Sequence, residues 1–560
     1  MSVPMTNVDN FWLCMDDPSN LMIITAFMEF EEPLDFNRLY ATVENRLATF
    51  DRFKKRVVRP KSKVGMPRWE TDKNYDLRSH LHRVALPAPG DKSDLQEMIG
   101  NLMTTDFDHN KPLWQIHLIE NYGKGCVLFF RIHHCIADGI ALIHVLLSTT
   151  DTDPNAPWPE SSKSEKKKSR SKIGPMFSFN TVMDSVRDTV KTSQKLSAKM
   201  FKEIEKYSSD PKKLTKILKT SASLPVEFAS VLAKHTIMKS DPNTAFKGKL
   251  GVRKHVAWTE PMSLDKIKKV GRAINTATLN DVLIATVTGA MRRYLETRNT
   301  SVNELDLRVT IPVNIRKPGT EFELGNKFSL VFLALPVYLK DPILRLKEVK
   351  RRMDKLKKSP DPYINFGLVH AIGHLPPSLA QKAAQLFGNK ASGVMTNVPG
   401  PRQPLYFSGK KISNIMVWVP RSGAIGLGIG ILSYDGKVSV GIASDAGLMP
   451  DPEVLLEGFE DEFNELLDLV QSGKIYDEPL VLHDRYKEAR SIKKEGKKKD
   501  KKEKITDASD PGRCIAHTKT GKRCSKKALE NSEYCHVHQH LHEEDTVLHD
   551  VAQIMKELTG

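Results

Sequence analysis

Two adjacent histidines, His133 and His134, are followed by Cys135, Ile136, Ala137, Asp138 and Gly139. An imidazole titrates near neutrality, so it can take a proton from a hydroxyl and return it elsewhere. The run before the pair, Cys126 to Ile132, is apolar and β-favouring, and it reads as a core strand that delivers the histidines at its end. Strand side chains alternate faces, so only one imidazole can enter a given cleft, and the other must pack or hydrogen-bond on the opposite side. Cys135 should likewise face away from the cleft that His134 enters. Gly139 would give the backbone the freedom for a sharp turn. The rival chemistry, a metal held by His133 and His134, is weak because neighbouring ligands on a strand diverge and no third ligand is evident. Without a G-x-S-x-G motif, nothing calls for a covalent intermediate.

The chain that must position these groups has 560 residues, enough for two domains with appendages. An α/β domain is expected over residues 1–160, with a strand from Leu21 to Phe30, helical spacing from Leu39 to Leu47 and a strand from Gln115 to Ile119. Residues 161–244 read as a linker. Lys163 to Lys172 holds six basic residues and one acid, and Val182 to Ile204 then repeats apolar residues at helical spacing among lysines and arginines. That basic amphipathic helix could pack across two domains or lie on an anionic membrane surface. A second α/β domain is expected over 245–478. Its helices read as Asp265 to Ala273, Asn280 to Tyr294, Ile343 to Leu356 and Pro452 to Val470, and its strands as Leu307 to Val313 and Ser329 to Tyr338. A hairpin turns at Tyr434-Asp435-Gly436 between two further strands. Residues 479–510 form a lysine-rich tether, with eleven basic residues against four acids from Arg485 to Lys504, and expected to be disordered.

A net charge of +17 points to an anionic partner or surface. The N-terminus lacks the charged start and apolar core of a signal peptide, and no apolar run reaches the roughly 20 residues of a membrane span. Six cysteines, half of them near the C-terminus, fit a reducing cytosol better than a disulfide framework.

The stretch His133-His134 to Asp138-Gly139 resembles the HHxxxDG signature of the CoA-dependent acyltransferase superfamily, which includes peptide-synthetase condensation domains. Further stretches resemble one branch, the bacterial-type wax ester synthase/diacylglycerol acyltransferases. They are Pro112-Leu113-Trp114, Asn280-Asp281, Val309 to Arg316, Gly325-Asn326 and Asn397 to Pro401, with Asn7-Val8-Asp9 through Met22 at the start. The likeness spans roughly residues 5 to 470 with the motifs in order. Asn7, where the family more often has serine, and the long lysine run depart from it.

The resemblance implies two similar chloramphenicol-acetyltransferase-like α/β domains with an active-site tunnel at their interface. CoA would enter from one side and a lipid alcohol from the other. His134 would be the general base, with His133 orienting the turn. Asp138 would hold that turn through an arginine, for which Arg316 is the candidate, and Trp114 would fill the core. Asn280 is a candidate oxyanion donor, and an N-cap explains Asn280-Asp281 equally well. The substrates implied are acyl-CoA with diacylglycerol or a long-chain alcohol, without a catalytic cofactor. The expected location is cytoplasmic, peripheral on an anionic membrane or lipid-inclusion surface.

A separate signal lies in residues 511–543, before a C-terminal helix or tail over 544–560. Cys514, Cys524, Cys535 and His538 are spaced C-x9-C-x10-C-x2-H, a ligand set suited to structural zinc. His517, His536, His540 and His542 are alternatives for the fourth ligand. The segment resembles the small Cys3His zinc modules of WRC type from plant transcription regulators. Its partner is open: nucleic acid, anionic lipid or protein. The alternative to an enzyme is therefore a silent scaffold that recruits through this module and the basic tail.

Overall fold

The run from Cys126 to Ile132 becomes the middle strand of a five-stranded sheet. The computed structural model describes residues 2–60, 65–159, 238–274, 277–316, 323–373 and 377–474. The middle strand, Gly125–His133, is buried at all but one position, because it is covered on both faces. Its antiparallel neighbours are Ile23–Phe30 and Trp114–Tyr122, and Leu81–Ala85 runs parallel to the latter at one edge. The other edge is Asn414–Trp418, a strand from the far half of the chain that pairs antiparallel with Ile23–Phe30. The second α/β stretch therefore completes the sheet of the first.

The second sheet runs in the order Phe328–Leu335, Leu307–Asn314, Gly393–Pro399, Leu427–Tyr434, Lys437–Asp445 and Lys254–Trp258, with Met262–Ser263 also on Lys437–Asp445. Its hairpin turns through Asp435 and Gly436, both at positive φ, as a two-residue turn between paired Tyr434 and Lys437 requires. Asn397 to Pro399, expected in a turn, instead ends the strand Gly393–Pro399, which is parallel to Leu427–Tyr434.

Helix Leu279–Glu296 packs on this sheet with nearly every interior position buried. Against it lie Pro452–Gln471 and Pro342–Lys357. Arg345 and Glu462 form an ion pair sealed between the three helices, with Arg293 on the other Glu462 oxygen at 2.7 Å. Gly289 makes room for that pair, since a Cβ there would fall 2.2 Å from Glu462 Oε2. Both sheets belong to one compact unit. The linker helix, the tether and the zinc ligands Cys514, Cys524, Cys535 and His538 lie outside the described residues.

On the parallel edge His82 sits opposite His117, with ring centroids 4.9 Å apart. Burial, then His82 and Arg131, push the His117 pKa down to about 3. An unfolded chain protonates such a ring near pH 6.5, roughly. This folded ring stays neutral well below that, so its contribution is complete above the unfolded pKa and is lost as pH falls. The urea midpoint should therefore drop between about pH 7 and 4, and His117→Phe should flatten part of that slope.

Candidate active site

The middle strand ends by pinning both histidines through their main chain. His133 N–H donates to Leu113 O at 2.9 Å, and His134 N–H to Met22 O at 2.7 Å. The chain then turns into helix Gly139–Thr149, capped by Asp138, whose Oδ1 accepts Ala141 N–H at 3.1 Å. Gly139 is the first helical residue and has no positive φ, so the turn does not depend on glycine there. A Cβ on it would meet nothing within 4 Å, and Gly139 instead borders the cavity described below.

The two rings go to different partners. His133 is fully buried, with Nε2 2.7 Å from Asp16 Oδ2 and Nδ1 accepting Cys135 N–H at 3.1 Å. It holds the turn. Burial opposes charging this ring, but Cys135 and Asp16 more than offset that and raise its pKa.

His134 Nδ1 lies 2.9 Å from Asn326 Oδ1. The Asn326 amide nitrogen donates to Asp9 Oδ1 at 2.9 Å and to His134 O at 2.8 Å, which fixes which amide atom faces the ring. Nδ1 therefore carries the proton, and Nε2 keeps a bare lone pair. Asp9 is fully buried and paired with Arg52 at 2.9 Å. Arg52 also holds the carbonyls of Cys135 and Ile136, each at 3.2 Å. Trp12 stacks on the His134 ring at 4.3 Å, with Phe328 5.3 Å from both. Burial among these groups pushes the His134 pKa down to about 4, so the ring is neutral at physiological pH.

Asp138 accepts Arg316 Nη1 on both oxygens, at 2.8 and 2.6 Å, and Lys327 N–H at 2.8 Å. The two side chains are 1 and 4 % exposed, a buried pair across the two halves of the chain. Trp114 fills the core as expected, its Nε1 donating to Phe53 O at 2.8 Å and His80 stacked on it at 4.6 Å. Pro112 and Leu113 are buried beside it.

Asn280 is not an N-cap. Thr278 caps helix Leu279–Glu296 in a capping box with Asp281, whose Oδ2 accepts the Thr278 N–H at 2.8 Å. Asn280 Oδ1 accepts from Asn397 Nδ2, and both side chains border the same cavity as His134. Thr278 has the β-region backbone and short hydroxyl of an N-cap, whereas Asn280 is already helical.

That cavity, about 1220 Å³, is lined by residues of both halves. Its walls are largely aliphatic, and Lys268, Lys357, Lys358 and Arg402 border it as well. Among the described residues no cluster of three or more His, Cys, Asp or Glu could hold a metal ion. The residues that sequence reasoning left without a role are Asp9, Trp12, Asp16, Arg52 and Asn326. Asp9 and Asn326 lie 317 positions apart, and the only signal was that both fall in stretches resembling a family pattern.

Two mixed sheets, with a strand passed from one half to the other and a buried neutral histidine on a shared cavity, define a fold known in acyl-transfer and condensation proteins. The structure overlays on the wax ester synthase/diacylglycerol acyltransferase of Marinobacter aquaeolei VT8 with a TM-score of 0.57 at 20% identity, covering 84% of this chain and 100% of that one. It overlays on the first condensation domain of the calcium-dependent antibiotic synthetase with a TM-score of 0.52 at 15% identity, covering 84 and 96%. The O-acyltransferase WSD of Acinetobacter baylyi is 27% identical over 407 residues, covering 70% of this chain and 82% of that one. The wax ester synthase/diacylglycerol acyltransferase catalytic domain matches residues 5–283 and the WS/DGAT C-terminal domain residues 324–467, so this chain belongs to the wax ester synthase/diacylglycerol acyltransferase family. It is an enzyme of that type. A silent scaffold finds no support among these relatives.

With Nε2 bare and the ring pKa near 4, kcat/KM should show no acid limb around pH 6.5 and should fall only on approaching about pH 4. Asn326→Ala frees the ring to rotate and exchange tautomers, and kcat should drop by about 10²-fold with KM little changed. Arg316→Met strands the Asp138 carboxylate, and chemical denaturation should show a loss of about 3–5 kcal/mol.

Proposed function

We propose that this enzyme moves a fatty acyl group from acyl-CoA to the hydroxyl of a lipid alcohol, either diacylglycerol or a long-chain alcohol, with His134 as general base. The observation that carries this is the bare Nε2 of a tautomer-locked His134 on an apolar cavity shared by both halves. The acceptor hydroxyl gives its proton to Nε2 as its oxygen attacks the thioester carbon. The new C–O bond forms and an oxyanion develops. When the oxyanion collapses, the C–S bond breaks and the thiolate leaves with the proton from His134. Burial makes the imidazolium short-lived, because a charge there has lost its water.

Asn280 is the candidate oxyanion donor. Its Oδ1 is occupied by Asn397, which leaves its Nδ2 as the hydrogen-bonding group available toward the cavity. Lys268, Lys357, Lys358 and Arg402 supply positive charge for the CoA phosphates. No cofactor is needed, since acyl-CoA is itself the substrate.

The basic balance of +17 suits an anionic membrane or lipid-inclusion surface, and no described helix is long and apolar enough to cross a membrane. Structural zinc on Cys514, Cys524, Cys535 and His538 remains our reading of that ligand set, and zinc content of the purified chain tests it.

The decisive assay follows free CoA from palmitoyl-CoA with hexadecanol, dioleoylglycerol or no acceptor, with esters identified by mass. Acceptor-dependent release is expected, reduced about 10² to 10⁴-fold in His134→Gln. Activity untouched by that substitution would overturn the role of His134.

A further inference from the structure

A second cavity, about 100 Å³, also touches His134 and is walled by Trp12, Phe328, Leu330, Phe332, Phe387 and Val394. Arg421 borders this largely apolar space, with Thr310, Asn365 and Ser422 also at its wall, and it is only 7 % exposed. A cation so placed is costly unless something pairs with it. Its Nη1 donates to Ala443 O at 2.6 Å. Among the described residues no carboxylate reaches ion-pair distance of the guanidinium. The nearby Asp445 is already engaged by Lys254 at 2.8 Å and by the N–H groups of Gly251 and Gly447. Asp445 is thus committed to Lys254, while Arg421 borders the cavity with no carboxylate of its own at ion-pair distance among the described residues.

Its Nε and Nη2 have no hydrogen bond to the described protein, and the residue borders the cavity. The stem is packed, with Cδ 3.4 Å from the position a Cβ would take on Gly428. Burial lowers its pKa to about 10, so the group is still a cation at neutral pH.

We infer that this cavity is a binding site for an aliphatic carboxylate, whose head group pairs with Arg421 and whose chain runs along the apolar wall toward His134. The planar carboxylate matches the guanidinium fork and would give Arg421 the direct ion-pair partner it lacks among the described residues. Cavities of this order hold only a few carbon atoms; a space of roughly 150 Å³ takes one benzene. A longer chain must continue past His134 into the larger cavity, which shares that residue. A free fatty acid bound in this way covers the base and excludes substrate, so the site makes the enzyme sensitive to the hydrolysis product of its own donor class.

The test is calorimetric titration of the purified full-length chain with decanoate, decanamide, decan-1-ol and decyl phosphate. It reads binding without turnover, so it stands apart from the acyl-transfer assignment. Decanoate should bind at least about tenfold more tightly than the amide or the alcohol, in line with a charge-assisted hydrogen bond. Arg421→Gln should abolish that preference while leaving alcohol binding unchanged. Equal binding of acid and amide by the wild-type chain would overturn the proposal, and this comparison holds even if the variant does not fold. Preference for decyl phosphate would overturn the carboxylate assignment, as would a folded Arg421→Gln that still favours decanoate.

Discussion

The carboxylate of Asp138 ties the site together. It caps helix Gly139–Thr149, pairs with Arg316 through both oxygens and takes the Lys327 N–H. Arg316 in turn holds Gly325 O at 2.7 Å. The segment that carries Asn326 is thereby fixed against the turn that carries His134. A buried ion pair adds little net stability over an apolar replacement, because desolvation consumes most of the Coulomb attraction. What it supplies here is position, since removing either partner leaves the other charged and dry.

That positioning sets the chemistry of His134. Asn326 can orient the ring only because its own amide is oriented by Asp9 and the His134 carbonyl. The buried Asp9 is neutralised by Arg52, which also ties down the carbonyls of the turn. The environment exchanges basicity for certainty of state. Burial beside Trp12 and Phe328 makes the imidazole a weak base and keeps it unprotonated at physiological pH. In the proposed reaction the same environment would favour prompt return of the proton to a leaving thiolate. His133, one residue earlier, accepts the Cys135 N–H on Nδ1 and so presents its proton on Nε2 to Asp16; neighbours in sequence hold opposite tautomers because they face different partners on opposite sides.

The apolar cavities on either side of His134 share the same logic. Hydrocarbon walls strengthen each polar contact made within them, so a few well-placed groups carry selectivity. Asn280 with Asn397 borders the larger space and Arg421 the smaller, each at a wall that is otherwise largely carbon. Both halves of the chain contribute to the larger chamber.

Much of this was readable from the residues in order. The apolar run ending in His133-His134, the helix over Asn280 to Tyr294 and the Asp435-Gly436 turn are local consequences of periodicity and backbone preference, and the structure keeps them. Other points needed contacts between residues far apart in the chain. Asn414–Trp418 joins the first sheet because the edge of Ile23–Phe30 needs a partner, and no local pattern names which strand supplies it. Thr278 rather than Asn280 caps its helix, a shift of two residues that propensity alone could not resolve. Gly139 marks open cavity space rather than a strained turn. The sequence by itself determined that a histidine would stand at the end of a core strand. Only the tertiary structure decided which nitrogen of that histidine is free, because its tautomer depends on Asn326 and Asp9, which lie 317 positions apart in the chain.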